Sequence, residues 1–299
     1  MSKKENFNYP IYMHVNYLEN ILPIKEIISR WADAGYDGIE LRGYDCAKKM
    51  NTGDYLEHVH KLTRKSGIKV TFGCPNDTIN PNAGERKKSM DDFKIIIDFA
   101  SANEIRVLNV FGSSIVNPKL GYFDFHGHGS AYATEEQWKT TIEYFQEAGE
   151  FAGARGVDLC FETHNCYIHD LGEPTAKLLS AISRSNVKAN LDFGNIYINK
   201  LNKGMQEELK QLSGRIGYVH LKNLISFLPY FEIGIFKCTA LEDGDINNFV
   251  LILKLMKMGY KGVLAIENTM SGDKRNMVSK DLKYLKQLVS DAHSVYDIT

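Results

Sequence analysis

The sequence predicts a single (β/α)8 barrel, the TIM-barrel class, spanning residues 1–299, and three observations carry that prediction. Short β-branched or aromatic runs alternate with amphipathic runs of helical period along the whole chain, giving eight pairs. Eight such pairs in 299 residues suit a closed barrel, which needs roughly 250. The competing doubly wound sheet usually carries a glycine-rich turn after its first strand, and residues 15–22 contain no glycine.

Residues 9–17 read as the first strand and 23–34 as its helix, opened by Pro23 and closed by Gly35. Strand two covers 36–43. The helix at 54–66 stops at Gly67, and strand three follows at 68–74, ended by Pro75. A long helix at 85–103 leads to strand four at 106–111. After a long loop, Thr134 opens a helix at 134–154, with Glu136 and Gln137 in its first turn and Gly156 beyond its end. Strands five to eight fall at 157–165, 188–195, 215–223 and 262–269. Helices at 173–183, 206–213 and 246–258 separate them, and 277–292 closes the chain as a final helix.

Strand five organises the rest. Within it Leu159, Phe161 and Thr163 point one way and Cys160, Glu162 and His164 the other, because successive side chains of a strand alternate. The apolar row packs on helices, so the carboxylate and imidazole face a polar interior. The same alternation turns Tyr12, His14 and Asn16 inward on strand one, Glu40 and Arg42 on strand two, and Asn109 on strand four. Later strands contribute Asn190 and Asp192, then Tyr218, His220 and Lys222, then Ala265 and Glu267. In a barrel the active site lies at the carboxyl ends of the strands, where these polar residues fall.

So polar an interior is costly unless its groups are paired or bind a cation. Glu162, Asp192, His220 and Glu267 sit on four successive strands, and three carboxylates with an imidazole suit one divalent ion, Mn2+, Mg2+, Co2+ or Zn2+. The competing reading is a set of buried ion pairs with Arg42 and Lys222. Two basic residues do not easily neutralise these acids together with Glu40, and that reading leaves His220 without a role.

The motifs at 36–41 (Tyr-Asp-Gly-Ile-Glu-Leu), 159–162 (Leu-Cys-Phe-Glu), 190–193 (Asn-Leu-Asp-Phe) and 218–222 (Tyr-Val-His-Leu-Lys) stand in order with two more. Those are 242–246 (Glu-Asp-Gly-Asp-Ile) and 259–267 (Gly-Tyr-Lys-Gly-Val-Leu-Ala-Ile-Glu). Together they resemble the xylose isomerase-like superfamily of sugar and sugar-phosphate isomerases, epimerases and dehydratases, over nearly the whole chain. The resemblance implies one catalytic divalent metal on strands five to eight, which maps onto Glu162, Asp192, His220 and Glu267.

The departures narrow the expectation. Many members have Asp-x-x-His on strand six, and Asn195 stands at the histidine position, which removes a ligand from any second metal. The ketose 3-epimerases carry a second glutamate after strand five and an arginine after strand seven, where Ile168 and Ser226 stand here. The related apurinic endonucleases need an Asp-x-His after strand seven, and 224–239 contains no histidine, so DNA cleavage is not expected.

The expected activity is a metal-dependent sugar isomerase or epimerase working through an enediolate by carboxylate proton transfer. Glu162 and Glu267 are the expected proton-transfer groups as well as ligands; Glu40 is discounted because its strand lies far round the barrel. His164, Lys222, Asn195, His14, Glu40 and Asn109 are the expected substrate-binding or supporting residues, and Arg42 is expected to pair with Glu40 or Glu267. An inosose-type dehydratase using the same metal site is the alternative, and a non-catalytic sugar-binding barrel a second one.

Residues 115–133, with Tyr122, Phe123, Phe125, His126 and His128, read as a mouth-side lid or an oligomer contact, and the two histidines as an exposed, solvated pair. Tyr230, Phe231 and Phe236 suggest a substrate wall or a subunit interface, compatible with a homo-oligomer. No glycine-rich phosphate grip is evident, so the expected substrate is a free small sugar or polyol. A net charge of -1, with 43% hydrophobic and 24% charged residues, gives no bulk drive toward nucleic acid or an acidic membrane. Residues 1–5 are polar without an apolar run behind them, so the cytoplasm is the expected location. Cys46, Cys74, Cys160, Cys166 and Cys238 are odd in number and lack a Cys-x-x-Cys pair, which fits a reducing compartment.

Overall fold

In the computed structural model, residues 7–15, 22–227, 235–267 and 274–296 are described. The chain runs β1 (Ile11–His14), α1 (Ile24–Ala34), β2 (Gly38–Arg42), α2 (Thr52–Ser66), β3 (Lys69–Pro75), α3 (Ala83–Ala102) and β4 (Val107–Phe111). It continues through α4 (Glu135–Gly153), β5 (Asp158–Glu162), α5 (Gly172–Ile182), β6 (Val187–Asp192), α6 (Phe193–Ile198), α7 (Met205–Gln211) and β7 (Ile216–Leu221). It ends with β8 (Asn223–Phe227), β9 (Ile235–Thr239), α8 (Asn248–Lys257), β10 (Val263–Ile266) and α9 (Lys274–Tyr296). Eight strands close into one parallel barrel in the order β1, β10, β7, β6, β5, β4, β3, β2, the (β/α)8 arrangement the alternation predicts.

Local chemistry explains the element ends. Gly35 and Gly67 take φ of 89° and 69°, a left-handed conformation that ends α1 and α2 at little cost for glycine. Thr134 and Gln137 close a reciprocal capping box on α4. Asn51 accepts the Asp54 N–H at 2.9 Å, so α2 begins two residues before the expected start at 54.

The strands alternate as expected. Outward side chains such as Phe161 on β5 meet the helices, its ring lying 4.4 Å from that of Phe145 on α4. Inside, Tyr12, Cys160, Tyr218 and Ala265 from four strands pack into one layer that fills the lower barrel. The polar side chains lie above that layer.

Two expectations need correction. Strand five ends at Glu162 and strand six at Asp192, so His164 lies in a loop and Asn195 on α6. Residues 224–227 and 235–239, given no element from the sequence, lie in the antiparallel hairpin strands β8 and β9. Asn16, Tyr230 and Phe231 lie outside the described residues, as do 268–269 of the last expected strand. Among the described residues, no helix is long and apolar enough to cross a membrane.

Candidate metal centre at the carboxyl end of the barrel

Each expected ligand is delivered by the end of a strand. Glu162 and Asp192 are the last residues of β5 and β6, His220 the penultimate residue of β7, and Glu267 follows β10 directly. Register aligns Asp192 with His220 and places His220 opposite Ala265, two residues before Glu267. One ligating atom from each of the four lies within 4.8 Å of the others, and all four residues are buried. His220 Nδ1 stands 3.3 Å from Glu162 Oε2, 3.7 Å from Asp192 Oδ2 and 3.2 Å from Glu267 Oε2.

The surrounding donors cap particular oxygens. Asn195 Nδ2 donates to Glu162 Oε1 at 3.0 Å, and Asn109 Nδ2 to Glu162 Oε2 at 2.9 Å. Asn109 Nδ2 also reaches Glu40 Oε1 at 2.8 Å, while its own Oδ1 accepts Asn190 Nδ2 at 3.0 Å. Asp192 Oδ1 accepts the Asn195 N–H at 2.7 Å and so caps α6. Its other oxygen, Asp192 Oδ2, is buried and accepts no hydrogen bond, although Lys222 Nζ stands 2.9 Å away. Lys222 Nζ also stands 2.9 Å from Glu267 Oε2 and donates to Asn195 Oδ1 at 3.2 Å.

Electrostatics separates the two glutamates. Burial pushes Glu162 up to about 8, with Glu267 and Asp192 adding to the rise and His220 opposing it. Burial would raise Glu267 as well, but Lys222, His14 and His220 hold it well below the ordinary carboxylate range. Burial works against a charge on His220, yet Glu40 and Glu162 raise it well above its ordinary value. Lys222 is likewise opposed by burial and raised by Asp192 and Glu267.

Three buried carboxylates and an imidazole, each offering an atom within 4.8 Å of the others, form a donor set that fits a divalent cation. Glu162, Asp192, His220 and Glu267 are the residues that would hold it.

Glu40 is not remote. Its Oε2 lies 2.8 Å from His220 Nε2, because inward side chains of a narrow barrel meet across the axis whatever the order of their strands. His14 sits beside it, its ring 5.3 Å from that of His220. His164 is half-buried at the mouth among Phe111 and Tyr167, its Nδ1 2.9 Å from Asn165 O. Arg42 Nη1 reaches Cys46 Sγ at 3.4 Å.

His169 was not among the sequence candidates. Its Nδ1 donates to Glu162 O at 2.5 Å and its Nε2 accepts Gly112 N–H at 3.2 Å, so it holds the end of β5 as a neutral ring. Burial pushes it down to about 3. It sits in a loop, where no periodicity marks it.

The 115–133 loop also departs from expectation. His128 is fully buried, with Nδ1 accepting Asn117 N–H at 3.1 Å and Nε2 donating to Gly121 O at 3.0 Å, so it pins the loop and is not a solvated residue. Tyr122 and Phe123 remain exposed, while Phe123 and Phe125 meet Phe236 of the hairpin at 6.5 Å. The five cysteines are free thiols.

The profile of the family described as "Xylose isomerase-like TIM barrel" matches residues 28–288. The chain is 27% identical over 151 residues to the inosose dehydratase of Clostridium perfringens, a match covering 46% of this chain and 50% of that protein. The chain thus spans about half the length of that relative. A xylose isomerase-like TIM barrel protein from Mycobacterium smegmatis, solved with magnesium, superposes with a TM-score of 0.78 at 16% identity over 96% of this chain and 98% of that one. D-Psicose 3-epimerase from Clostridium cellulolyticum H10, solved with D-tagatose, superposes with a TM-score of 0.66 at 17% identity over 97% of each chain. At these identities the structural likeness speaks for the fold alone.

Proposed function

We propose, from the premise that the chain belongs to the xylose isomerase-like TIM barrel family, that it is a metal-dependent lyase removing water from a small, uncharged cyclic polyol ketone of the inosose kind. The observation that carries this reading is the Lys222 ammonium, 2.9 Å from both Asp192 Oδ2 and Glu267 Oε2. An epimerase of the two-carboxylate kind needs a competent base on each face of the substrate. Glu267 is tied to an ammonium and an imidazole and makes a poor one, whereas the ammonium is an acid in the right place for a departing hydroxyl. The curated inosose dehydratase relatives support the same choice. The elimination therefore stands ahead of the isomerase or epimerase reading that the sequence favours.

A divalent cation on Glu162, Asp192, His220 and Glu267 would supply Lewis-acid stabilisation of the developing enediolate. Glu162, held by Asn195 and Asn109, takes the proton from the carbon next to the carbonyl, and the C–H electron pair becomes the carbon–carbon double bond of the enediolate. That electron density then expels the β-hydroxyl, which leaves with its C–O pair, takes a proton from Lys222 Nζ and departs as water. Proton return from Glu162 to Lys222 through solvent restores both. His164 and His14, at the rim, hydrogen-bond substrate hydroxyls.

The test is turnover of an inosose and a ketohexose by protein loaded with Mn2+ or Co2+, followed by mass spectrometry for water loss and by chromatographic separation of the epimeric sugars. The proposal expects a product lighter by one water from the inosose and no reaction of the ketohexose. An epimerised ketohexose, with the inosose untouched, contradicts it.

A further inference from the structure

We propose that the turn from Asp192 to Asn195 is a clamp for Lys222, in which Gly194 and Asn195 act as positioning residues; this rests on the dehydratase reading above. Lys222 follows β7 directly and is 7% exposed, so its stem is packed and not free in solvent. That stem crosses the backbone of Gly194, where an added Cβ would stand 2.1 Å from Lys222 Cγ and 2.4 Å from Cδ. No side chain fits there without displacing the lysine.

The head of Lys222 is held by the same turn. Because α6 starts immediately after β6, Asp192 serves as its N-cap, and the Asn195 N–H on Asp192 Oδ1 at 2.7 Å fixes the first turn. Asp192 Oδ2 and Asn195 Oδ1 are thereby left to face Nζ at 2.9 and 3.2 Å. The Asn195 amide then reaches the other way, to Glu162 Oε1 at 3.0 Å. A side-chain amide accepts from an ammonium and donates to a carboxylate at once, with no change of protonation. A carboxylate at 195 would only accept and would face Glu162 with like charge. One amide thus keeps base and acid at its two ends, and the flexible lysine is stopped from collapsing onto Glu162.

Two readouts on the metal-loaded full chain test the clamp. The first is labelling of Lys222 by an amine-acylating reagent, read by peptide mass spectrometry against exposed lysines. Wild type protects Lys222, and Gly194→Ala and Asn195→Ala expose it. The second is reaction of an inosose in deuterated water, scored as water loss relative to deuterium uptake at the carbon next to the carbonyl. Gly194→Ala keeps one ion per chain and keeps exchanging, whereas Asn195→Ala also frees Glu162 Oε1 and exchanges more slowly; in both, water loss falls further than exchange, their ratio dropping by up to ~100-fold, the scale of a misplacement of about 1 Å. Unchanged labelling in both variants overturns the clamp, even if no substrate is turned over. Increased labelling with an unchanged ratio overturns the positioning role, as does a joint fall of exchange and water loss with Lys222 still protected. If Gly194→Ala does not fold, Asn195→Ala decides alone. A wild type that never releases water counts against the dehydratase reading, while the labelling still decides the clamp.

Discussion

Glu40 Oε2 lies 2.8 Å from His220 Nε2, and this contact fixes which imidazole nitrogen faces the carboxylates. With Nε2–H donated to Glu40, Nδ1 is the atom turned toward Glu162, Asp192 and Glu267. Through Asn109 the same Glu40 is linked to Glu162 Oε2. A carboxylate behind a histidine ligand sets its tautomer and orientation. Glu40→Ala is therefore expected to weaken Mn2+ binding ~10–100-fold by titration calorimetry, and Glu40→Gln, which keeps an acceptor, by less. Wild-type affinity in Glu40→Ala would contradict this role.

The cluster offers one set of ligands, so purified protein is expected to hold one divalent ion per chain by elemental analysis. Binding to the folded state alone raises stability by about 2.7 kcal/mol at a metal concentration 100 times Kd, and His220→Ala should abolish that shift. Glu40 and Glu162 keep His220 charged without an ion despite its burial, so the ion must displace a proton. Affinity then falls as pH falls, and calorimetry in two buffers of different ionisation enthalpy should record proton release. No release, or a full shift in His220→Ala, would count against the ligand assignment.

His169 makes acid stability testable. Burial pushes it down to about 3, below the roughly 6.5 of an unfolded histidine, so below that pH the unfolded chain takes up a proton that the folded one refuses. Its contribution is fully present above the unfolded value and is lost as pH falls toward the folded one. Between pH 7 and 5 the loss is about 2 kcal/mol, from ~1.4 kcal/mol per pH unit. Denaturant unfolding should show His169→Asn destabilising the chain by that much less at pH 5 than at pH 7, and an equal penalty at both would refute the assignment.

Strand periodicity made the buried cluster legible, since alternation turned Glu162, Asp192, His220 and Glu267 to one interior and strand ends set their height. What alternation does not carry is distance across the barrel, which is why Glu40 looked remote although it touches His220. Nor does it say where a strand stops. Because β6 ends at Asp192, the position expected on a strand became the first turn of α6, and the contacts by which Asn195 joins Glu162 to Lys222 could not be read from alternation. His128 looked solvated because nothing in His-Gly-His shows that the loop folds back and occupies both ring nitrogens.

The most direct test of the account is product analysis of an inosose incubated in deuterated water with metal-loaded wild type and with Glu162→Gln and Lys222→Met. The account predicts a wild-type product lighter by one water. It also predicts at least ~100-fold loss of all reaction in Glu162→Gln, the scale of a missing general base, and deuterium uptake without water loss in Lys222→Met. Full water loss in Lys222→Met, or a wild-type product of unchanged composition carrying one deuterium at an inverted carbon, would contradict it.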